Sequence, residues 1–414
     1  MDFRDTPEQA AFRAELRAWL DAHAPRRPGD VPESLGAVIR REGADDAVEA
    51  SRAWQATLHS GGWGAITWPR EYGGRDAGVV EAYIFADELR RSDVPPSVFA
   101  ITLGMVGPTI IAHGTAEQKA RYLERMVDGS ELWCQLWSEP GAGSDLAGLA
   151  TRAEGDPATG WRLTGQKVWT SWAHHARWGL VLARTNPDAP KHAGLSCFIV
   201  DMHAPGVTVR PLRQMTGQSH FNEVWFEDAV VPPENLVGPV DQGWRVAMTT
   251  LMNERYTAGT SSVGVLSPDP LIALARRTER GGRPAAADPV VRQDLARVWI
   301  AARLFELTLY RSLTRAAKGQ EPGPEGSVMK LSATGLATEL GEAGLRVLGA
   351  GGALDGDDAE DRGEWVQARL FAAGFRIAGG TDEIQKTILG ERVLGLPPEP
   401  QPAKGASFKS QARQ

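Results

Sequence analysis

The stretch WRLTGQKVWTS, residues 161–171, opens with apolar and polar residues in alternation and is rich in aromatic and β-branched side chains. This pattern is typical of a half-buried β-strand. Similar short runs separated by turn residues recur across the surrounding region, and EGDPATG at 154–160 has the composition of a hairpin loop. Residues 131–240 are therefore predicted to form a middle β-domain, a barrel or a sandwich.

The segments on both sides carry helical signals. TPEQ at residues 6–9 is a capping box with proline at the first helical position, and TAEQ at 115–118 repeats the box. These signals predict an N-terminal helical domain over residues 1–130. Long runs with apolar residues at helical spacing predict a C-terminal four-helix bundle over residues 241–397. The tail, 398–414, has little to bury and is expected to be mobile. The expected fold class is α+β.

The bulk composition excludes several classes of protein. The 414 residues are 42% hydrophobic with a net charge of −7, which is ordinary for a globular protein and gives no general electrostatic reason to bind nucleic acid. The N-terminal segment is acidic and polar, and no apolar run is long enough to span a bilayer, so we expect a cytoplasmic protein without membrane association. Cys134 and Cys197 are expected to be buried thiols. The adjacent His174 and His175 make a poor metal pair, and no metal site is predicted.

Two segments of the β-region could contact a ligand. SEPGAGSDLAG, residues 138–148, could cradle a phosphate through backbone N–H groups and the Ser144 hydroxyl, or it could be a plain glycine turn. It lacks the G-x-G-x-x-G spacing and no βαβ pattern surrounds it, which argues against a Rossmann site. Trp169 and Ser171 fall at the end of a predicted strand, where they could serve packing or face a ligand.

A glycine pair opens the last helical pattern, IAGGTDEIQKTILGERVLG, residues 377–395. Gly379 and Gly380 stand before Thr381, which could cap a helix whose apolar residues recur at helical spacing. Because glycine has no side chain, the pair allows the backbone to approach an anion or a flat ligand closely.

Glu254 is the candidate acid or base. On a helix beginning at Gly243 it would share a face with uncharged residues, including Ala247 and Thr250. Burying an unpaired carboxylate raises its pKa and suits it to take a proton near neutral pH. The alternative is a surface glutamate or one end of a structural salt bridge.

The order of these motifs resembles that of the acyl-CoA dehydrogenase family. The motifs are WCQLWSEPGAGSD, GQKVWTS, FEDAVVPPENLVG and GGTDEIQ, and the resemblance runs from about residue 5 to residue 396. It implies FAD bound between the β-domain and the bundle, with Trp169 beside the flavin ring and a hydroxyl donor to flavin N5 at Ser171, where threonine is more usual. The positions that match cofactor contacts are Gln135, Leu136, Ser138, Gly143, Ser144, Trp169, Ser171, Thr381 and Glu383.

The resemblance also implies the reaction, a 2,3-dehydrogenation of an acyl-CoA thioester. Many family members carry the catalytic glutamate at the position of Gly379, which leaves only a backbone N–H here for the thioester carbonyl. Isovaleryl- and long-chain acyl-CoA dehydrogenases place their base on the preceding long helix, in a Glu-Arg pair that matches Glu254 and Arg255. Glu254 is thus implied as the catalytic base. Arg255 is implied at the CoA side of the active site, and Gly380 beside the substrate.

The resemblance implies an electron-transfer flavoprotein as the electron acceptor and a homotetramer or dimer. Family members often show an Arg-x-x-Phe-Gly segment whose arginine reaches the FAD of a neighbouring subunit, and it is missing here. Arg280 or Arg283 could substitute, while Arg346 replaces a common glutamine near the adenine. Three alternatives therefore stay open: a heterotetramer with a paralogous chain, a flavin-binding or scaffold subunit, and an oxygen-using oxidase or monooxygenase relative.

Overall fold

The computed structural model describes residues 4–27, 31–261, 265–320, 323, 326–400 and 405–411. The chain divides into two compact units. The first unit, called the bundle unit here, comprises Met1–Ala47, Asp76–Pro96 and Ala258–Pro397. The second, called the sheet unit, comprises Val48–Arg75, Ser97–Thr257 and Pro398–Gln414.

The helices account for most of the bundle unit and flank the sheet in the other unit. In chain order they are α1 (Pro7–His23), α2 (Leu35–Glu42), α3 (Ala47–Ser60), α4 (Val79–Leu89), α5 (Gly107–His113), α6 (Ala116–Val127), α7 (Gly243–Ser261), α8 (Asp269–Arg277), α9 (Pro289–Ala317), α10 (Gly326–Leu348), α11 (Glu364–Phe375), α12 (Asp382–Ile388) and α13 (Phe408–Gln411). Single π-helical segments occur at Thr102–Val106, before α5, and at Leu389–Val393, after α12.

The strands belong almost entirely to one sheet. They are β1 (Trp133–Leu136), β2 (Arg152–Asp156), β3 (Gly160–Ser171), β4 (Trp178–Arg184), β5 (Leu195–Asp201), β6 (Val207–Leu212), β7 (Phe221–Val231), β8 (Leu236–Val237), β9 (Glu279–Arg280) and β10 (Arg283–Pro284). The strand order is β6-β7-β3-β2-β4-β5-β8, and β1 runs parallel to β4. The last two strands form a separate hairpin.

The centre of the sheet is buried on both faces. Every residue of β4 is buried, and its side chains alternate between two hydrophobic clusters. Leu180 and Leu182 join a cluster that includes residues of α6 and α7, whereas Val181 and Ala183 join one that includes residues of β3 and β7. A strand covered on both faces reads as a continuous apolar run, as WGLVLAR does.

The bundle unit is built on α9, α10 and α11, with α2 packed against α11. Small residues on α10 allow this packing: a Cβ at Gly344 would stand 2.1 Å from the ring of Trp365, and one at Gly341 would stand 2.8 Å from the backbone of Arg369. Helices α1 and α4 also belong to this unit, so the N-terminal helices are divided between the two units.

The two capping boxes and the two buried thiols predicted from the sequence are confirmed. Thr6 and Gln9 form the predicted capping box of α1, and Thr115 and Gln118 form that of α6. Both cysteines are buried free thiols. Across the part of the chain that the structure describes, no helix is long and apolar enough to cross a bilayer.

The end of the tail lies against the sheet unit. Ser407 forms a β-bridge with Pro190, and the guanidinium of Arg184 lies 3.7 Å from the centre of the Phe408 ring. The tail composition predicted little to bury, but Phe408 is half-buried.

Candidate active site

The segment 138–148, called the glycine loop here, follows β1 and leaves polar backbone groups accessible. Leu136 is fully buried, so only its backbone could meet a ligand. Gln135 is half-buried, and its Oε1 is a buried atom that has no hydrogen-bond partner among the described residues. Gly143 and Ser144 are exposed, and apart from Gly143 and its two chain neighbours no described heavy atom lies within 4 Å of the place where a Cβ of Gly143 would stand. An unpaired buried acceptor beside an open glycine loop fits a bound polar ligand.

Trp169 stands out in β3 because its backbone is in the left-handed region, with φ of 61°. The register of β3 with β7 shifts between Lys167 and Thr170, so Trp169 lies within a β-bulge. Its side chain is 60% exposed, while Val168 and Thr170 on either side are buried. A bulky residue in this backbone region is strained, and such strain concentrates at functional sites.

The bulge lies beside the glycine loop. The Val168 N–H donates to the Ser138 carbonyl over 2.9 Å, which joins the two segments. Ser171 is half-buried at the end of β3, opposite Phe221 on β7. The structure thus brings together the two parts of the β-region that the sequence nominated separately.

Helix α7 carries Glu254 one turn beyond a buried polar contact. Thr250 is fully buried, and its hydroxyl lies 2.7 Å from that of Thr109 on α5. Ala247 on the same face is also buried, and Glu254 itself is half-buried. The side chain of Arg255 lies outside the described residues.

The segment 376–381 between α11 and α12, called the terminal loop here, requires glycine at two positions for its backbone conformation. Gly379 and Gly380 have φ of 64° and 88°, which L-residues with a Cβ rarely adopt. The buried Gln385 holds this shape, because its Nε2 donates to both glycine carbonyls, over 3.1 and 3.3 Å. Thr381 caps α12, as predicted, by accepting from the Ile384 N–H. Glu383, in the first turn of α12, is exposed.

Asp382 anchors this loop, and sequence reasoning missed it. Its carboxylate accepts from Arg376 over 2.7 Å and from Lys330 and Thr334 over 3.0 Å each. Burial alone would raise the pKa of Asp382, but these three donors lower it below the ordinary value. The sequence does show an aspartate directly after the cap residue Thr381, but Lys330 and Thr334, which bind it, are about 50 positions away in sequence.

Three family models match the chain in succession. They are described as the acyl-CoA dehydrogenase N-terminal domain over residues 6–130, middle domain over 134–229 and C-terminal domain over 241–394. The chain belongs to the acyl-CoA dehydrogenase family. The three-part α+β fold class predicted from the sequence is confirmed, and the chain is an enzyme of this class.

Full-length relatives agree with this assignment. The acyl-CoA dehydrogenase IpdE1 of Mycobacterium tuberculosis is 42% identical over 398 residues, which are 95% of this chain and 98% of that protein. A solved structure, the Tcur3481-Tcur3483 steroid ACAD, is 28% identical with a TM-score of 0.82, and the match covers 96% of this chain and 100% of that chain. The ChsE4-ChsE5 complex from Mycobacterium tuberculosis is 31% identical with a TM-score of 0.77, over the same shares.

The segment that departs from the acyl-CoA dehydrogenase pattern is held within its own unit. Arg280, in the β9–β10 hairpin, donates to the Arg346 carbonyl, and Arg346 pairs with Asp294 over 2.8 Å. Arg283 is exposed. Arg280, one of the two possible replacements for the arginine of the Arg-x-x-Phe-Gly segment, is thus hydrogen-bonded within this chain.

Proposed function

We propose that this chain binds FAD and catalyses the 2,3-dehydrogenation of an acyl-CoA thioester to the trans-2-enoyl-CoA, with an electron-transfer flavoprotein as the electron acceptor. The observation that carries the proposal is Trp169, an exposed indole held in a strained bulge beside an open glycine loop. Packing within the chain explains little of this arrangement, because the indole is 60% exposed while Val168 and Thr170 beside it are buried. A flat aromatic ligand next to a phosphate does explain it.

The residues of the sheet unit fit the cofactor. The N–H groups and hydroxyl of Gly143 and Ser144 suit the pyrophosphate, and Trp169 offers a face for the flavin ring. Gln135 offers an amide oxygen that has no partner in the part of the chain that the structure describes. The Ser171 hydroxyl would donate to the ring. Leu136 and Ser138 would contribute backbone groups, and Thr381 and Glu383 would contact the adenylate or a neighbouring subunit. When bound, FAD supplies the acceptor for the hydride lost from the β-carbon.

Glu254 is the proposed base. It would accept the proton from the α-carbon of the substrate, and the Gly379 N–H would donate to the thioester carbonyl as negative charge develops there. Loss of a proton from the α-carbon and of a hydride from the β-carbon leaves a double bond between these two carbons. The backbone donor does not depend on a side chain, which is consistent with glycine at position 379. Arg255 would bind the CoA side of the substrate, and Gly380 would leave room beside it.

Exposed apolar side chains on α9 support an oligomer. Val290, Trp299, Ile300 and Leu304 on this helix are each more than half exposed. Clustered exposed apolar side chains on a helix can mark an interaction surface. Two structural neighbours are described as pairs of different chains, so we propose a dimer or tetramer, either of this chain alone or with a second family member.

The missing arginine motif favours a second candidate, a flavin-binding subunit whose cofactor site is completed by a different chain. The Arg280 Nη2 group donates to the Arg346 carbonyl inside its own unit, which leaves this arginine less free to reach a neighbour's cofactor. The first candidate predicts that the purified chain alone oxidises acyl-CoA, and the second predicts that it does so only with a partner chain.

Anaerobic mixing tests the proposal. The purified chain is mixed with a panel of straight, branched and steroid-derived acyl-CoAs, and the flavin absorbance is followed; a steroid-derived member is included because one neighbour is described as a steroid ACAD. The proposal predicts a yellow protein that bleaches with at least one acyl-CoA and recovers its colour with electron-transfer flavoprotein. A colourless chain would contradict FAD binding. A yellow chain that bleaches with no acyl-CoA until a partner chain is added would favour the second candidate.

A further inference from the structure

Lys167 is a charged side chain that is completely buried inside the sheet unit. Its ammonium donates to Glu139 Oε1 over 2.8 Å and to the Trp137 carbonyl over 3.1 Å. A buried charge is costly unless it is paired and hydrogen-bonded, and both conditions hold here. Burial lowers the pKa of Lys167, which the carboxylate of Glu139 opposes.

Glu139 ties the two ends of the glycine loop together. Besides Lys167, its carboxylate accepts from the Ala150 N–H over 2.6 Å and from the Thr151 N–H over 2.9 Å. Burial alone would raise the pKa of Glu139, but Lys167 and these donors lower it, so the carboxylate stays charged. One side chain therefore fixes both the entrance and the exit of the loop.

Lys167 extends this connection to the bulge. It lies two residues before Trp169, at the position where the register of β3 with β7 shifts. The next residue, Val168, bonds the Ser138 carbonyl, directly before Glu139. The glycine loop and the strained bulge thus share one buried ionic contact, and neither can move relative to the other without disturbing it.

We propose that Lys167 and Glu139 are positioning residues that hold the glycine loop and the Trp169 indole at the separation needed for one flavin cofactor. The inference rests on the proposed FAD binding. The competing explanation is that the pair stabilises the fold and has no bearing on the cofactor. The two explanations differ in a variant that remains folded without the charges.

A double variant, Lys167→Met with Glu139→Gln, removes both charges and leaves neither one buried alone. The matched control is Arg162→Met with Asp228→Asn, which removes an exposed pair, 2.6 Å apart, that joins β3, the strand of Lys167, to β7. The measurements are FAD titration of the apo-protein, fluorescence of the bound flavin, and thermal unfolding of the apo-protein by circular dichroism. We expect the dissociation constant of FAD to rise about tenfold or more in the double variant. We also expect its bound flavin to fluoresce more, because Trp169 would be displaced from the position in which it would stack on the ring and quench it.

A folded double variant with unchanged FAD affinity and unchanged quenching would overturn the inference. If the double variant does not fold, Lys167→Met alone decides, because the Glu139 carboxylate then keeps its two backbone donors, the Ala150 and Thr151 N–H groups. It should weaken FAD binding and raise the fluorescence to a smaller extent. Loss of folding in that variant too would make the pair structural and would also overturn the inference. Failure of the wild-type chain to bind FAD would instead refute the proposed function, so the two failures are distinguishable.

Discussion

At the scale of single residues, two side chains of the candidate site have conformations or surroundings that do not stabilise the folded chain. Trp169 combines a left-handed backbone with a largely exposed indole, and Gln135 keeps a buried amide oxygen without a described partner. Both features cost stability unless a ligand uses them. We interpret them together as preparation for a flat cofactor.

Replacing Trp169 with glycine separates binding from stability. Glycine accepts a φ of 61° without strain, which offsets the lost ring contact with Phe221, so the unfolding free energy of the apo-protein should change by no more than about 1 kcal/mol. Loss of the stacking face should weaken FAD binding by about 1–3 kcal/mol. Calorimetry of the apo-protein and FAD titration measure the two effects. A strongly destabilised variant with unchanged affinity would show that the indole serves packing.

At the scale of elements, the terminal loop is shaped by its own anchors. Gln385 bonds the carbonyls of Gly379 and Gly380, and Asp382 gathers three donors around the start of α12. The loop therefore presents its backbone in a fixed shape within the bundle unit. This rigidity suits a backbone N–H that is proposed to stabilise a developing charge.

The Asp382 anchor predicts a pH dependence of stability. Because the folded-state pKa of Asp382 is below its ordinary value of 3.8, the contribution of the carboxylate is present above that value and is lost as the pH falls through the folded-state pKa. Asp382→Asn should lower the unfolding free energy at pH 7 by about 1–3 kcal/mol. The difference from wild type should shrink as the pH falls below about 4.

Denaturant unfolding at several pH values measures this dependence. The exposed Asp358, changed to asparagine, serves as the control and should show no comparable loss at pH 7. A difference for Asp382→Asn that stays constant from pH 7 to pH 3 would contradict the assignment of the effect to the ionised carboxylate.

At the scale of the whole molecule, the chain end supports a segment far away in sequence. Phe408 packs on Arg184, which is buried and donates to the Ala147 carbonyl over 2.7 Å and to the Leu149 carbonyl over 3.2 Å. Burial lowers the pKa of Arg184 to about 10. The tail thus covers an arginine that holds the last part of the glycine loop.

Removing the Phe408 ring should expose this arginine. Phe408→Ala is expected to lower the unfolding free energy by about 1–2 kcal/mol, through the lost cation–π contact and the lost burial. Thermal unfolding measures the change, and the exposed Lys409→Ala beside it is the control. Equal stability of the two variants would show that the tail does not support Arg184.

The sequence predicted the features that depend on local pattern and on motif order. The capping boxes, the middle β-domain and the family membership were all accessible in this way. Contacts between distant positions were not, because no local periodicity encodes them: the Lys167–Glu139 pair spans 28 positions and the Lys330–Asp382 pair spans 52. The bulge at Trp169 could not be predicted either, because a left-handed backbone is usually indicated by glycine, asparagine or aspartate and not by tryptophan. The roles assigned to Glu254 and the other site residues remain predictions.

The variant Glu254→Gln tests whether Glu254 takes the α-proton of the substrate. The variant keeps the shape of the side chain but cannot accept the proton, so it should bind FAD and acyl-CoA normally and bleach the flavin about 10²–10⁴ times more slowly in anaerobic stopped flow. Glu279→Gln, an exposed change, should behave like wild type. A Glu254→Gln variant that bleaches at close to the wild-type rate would contradict the account.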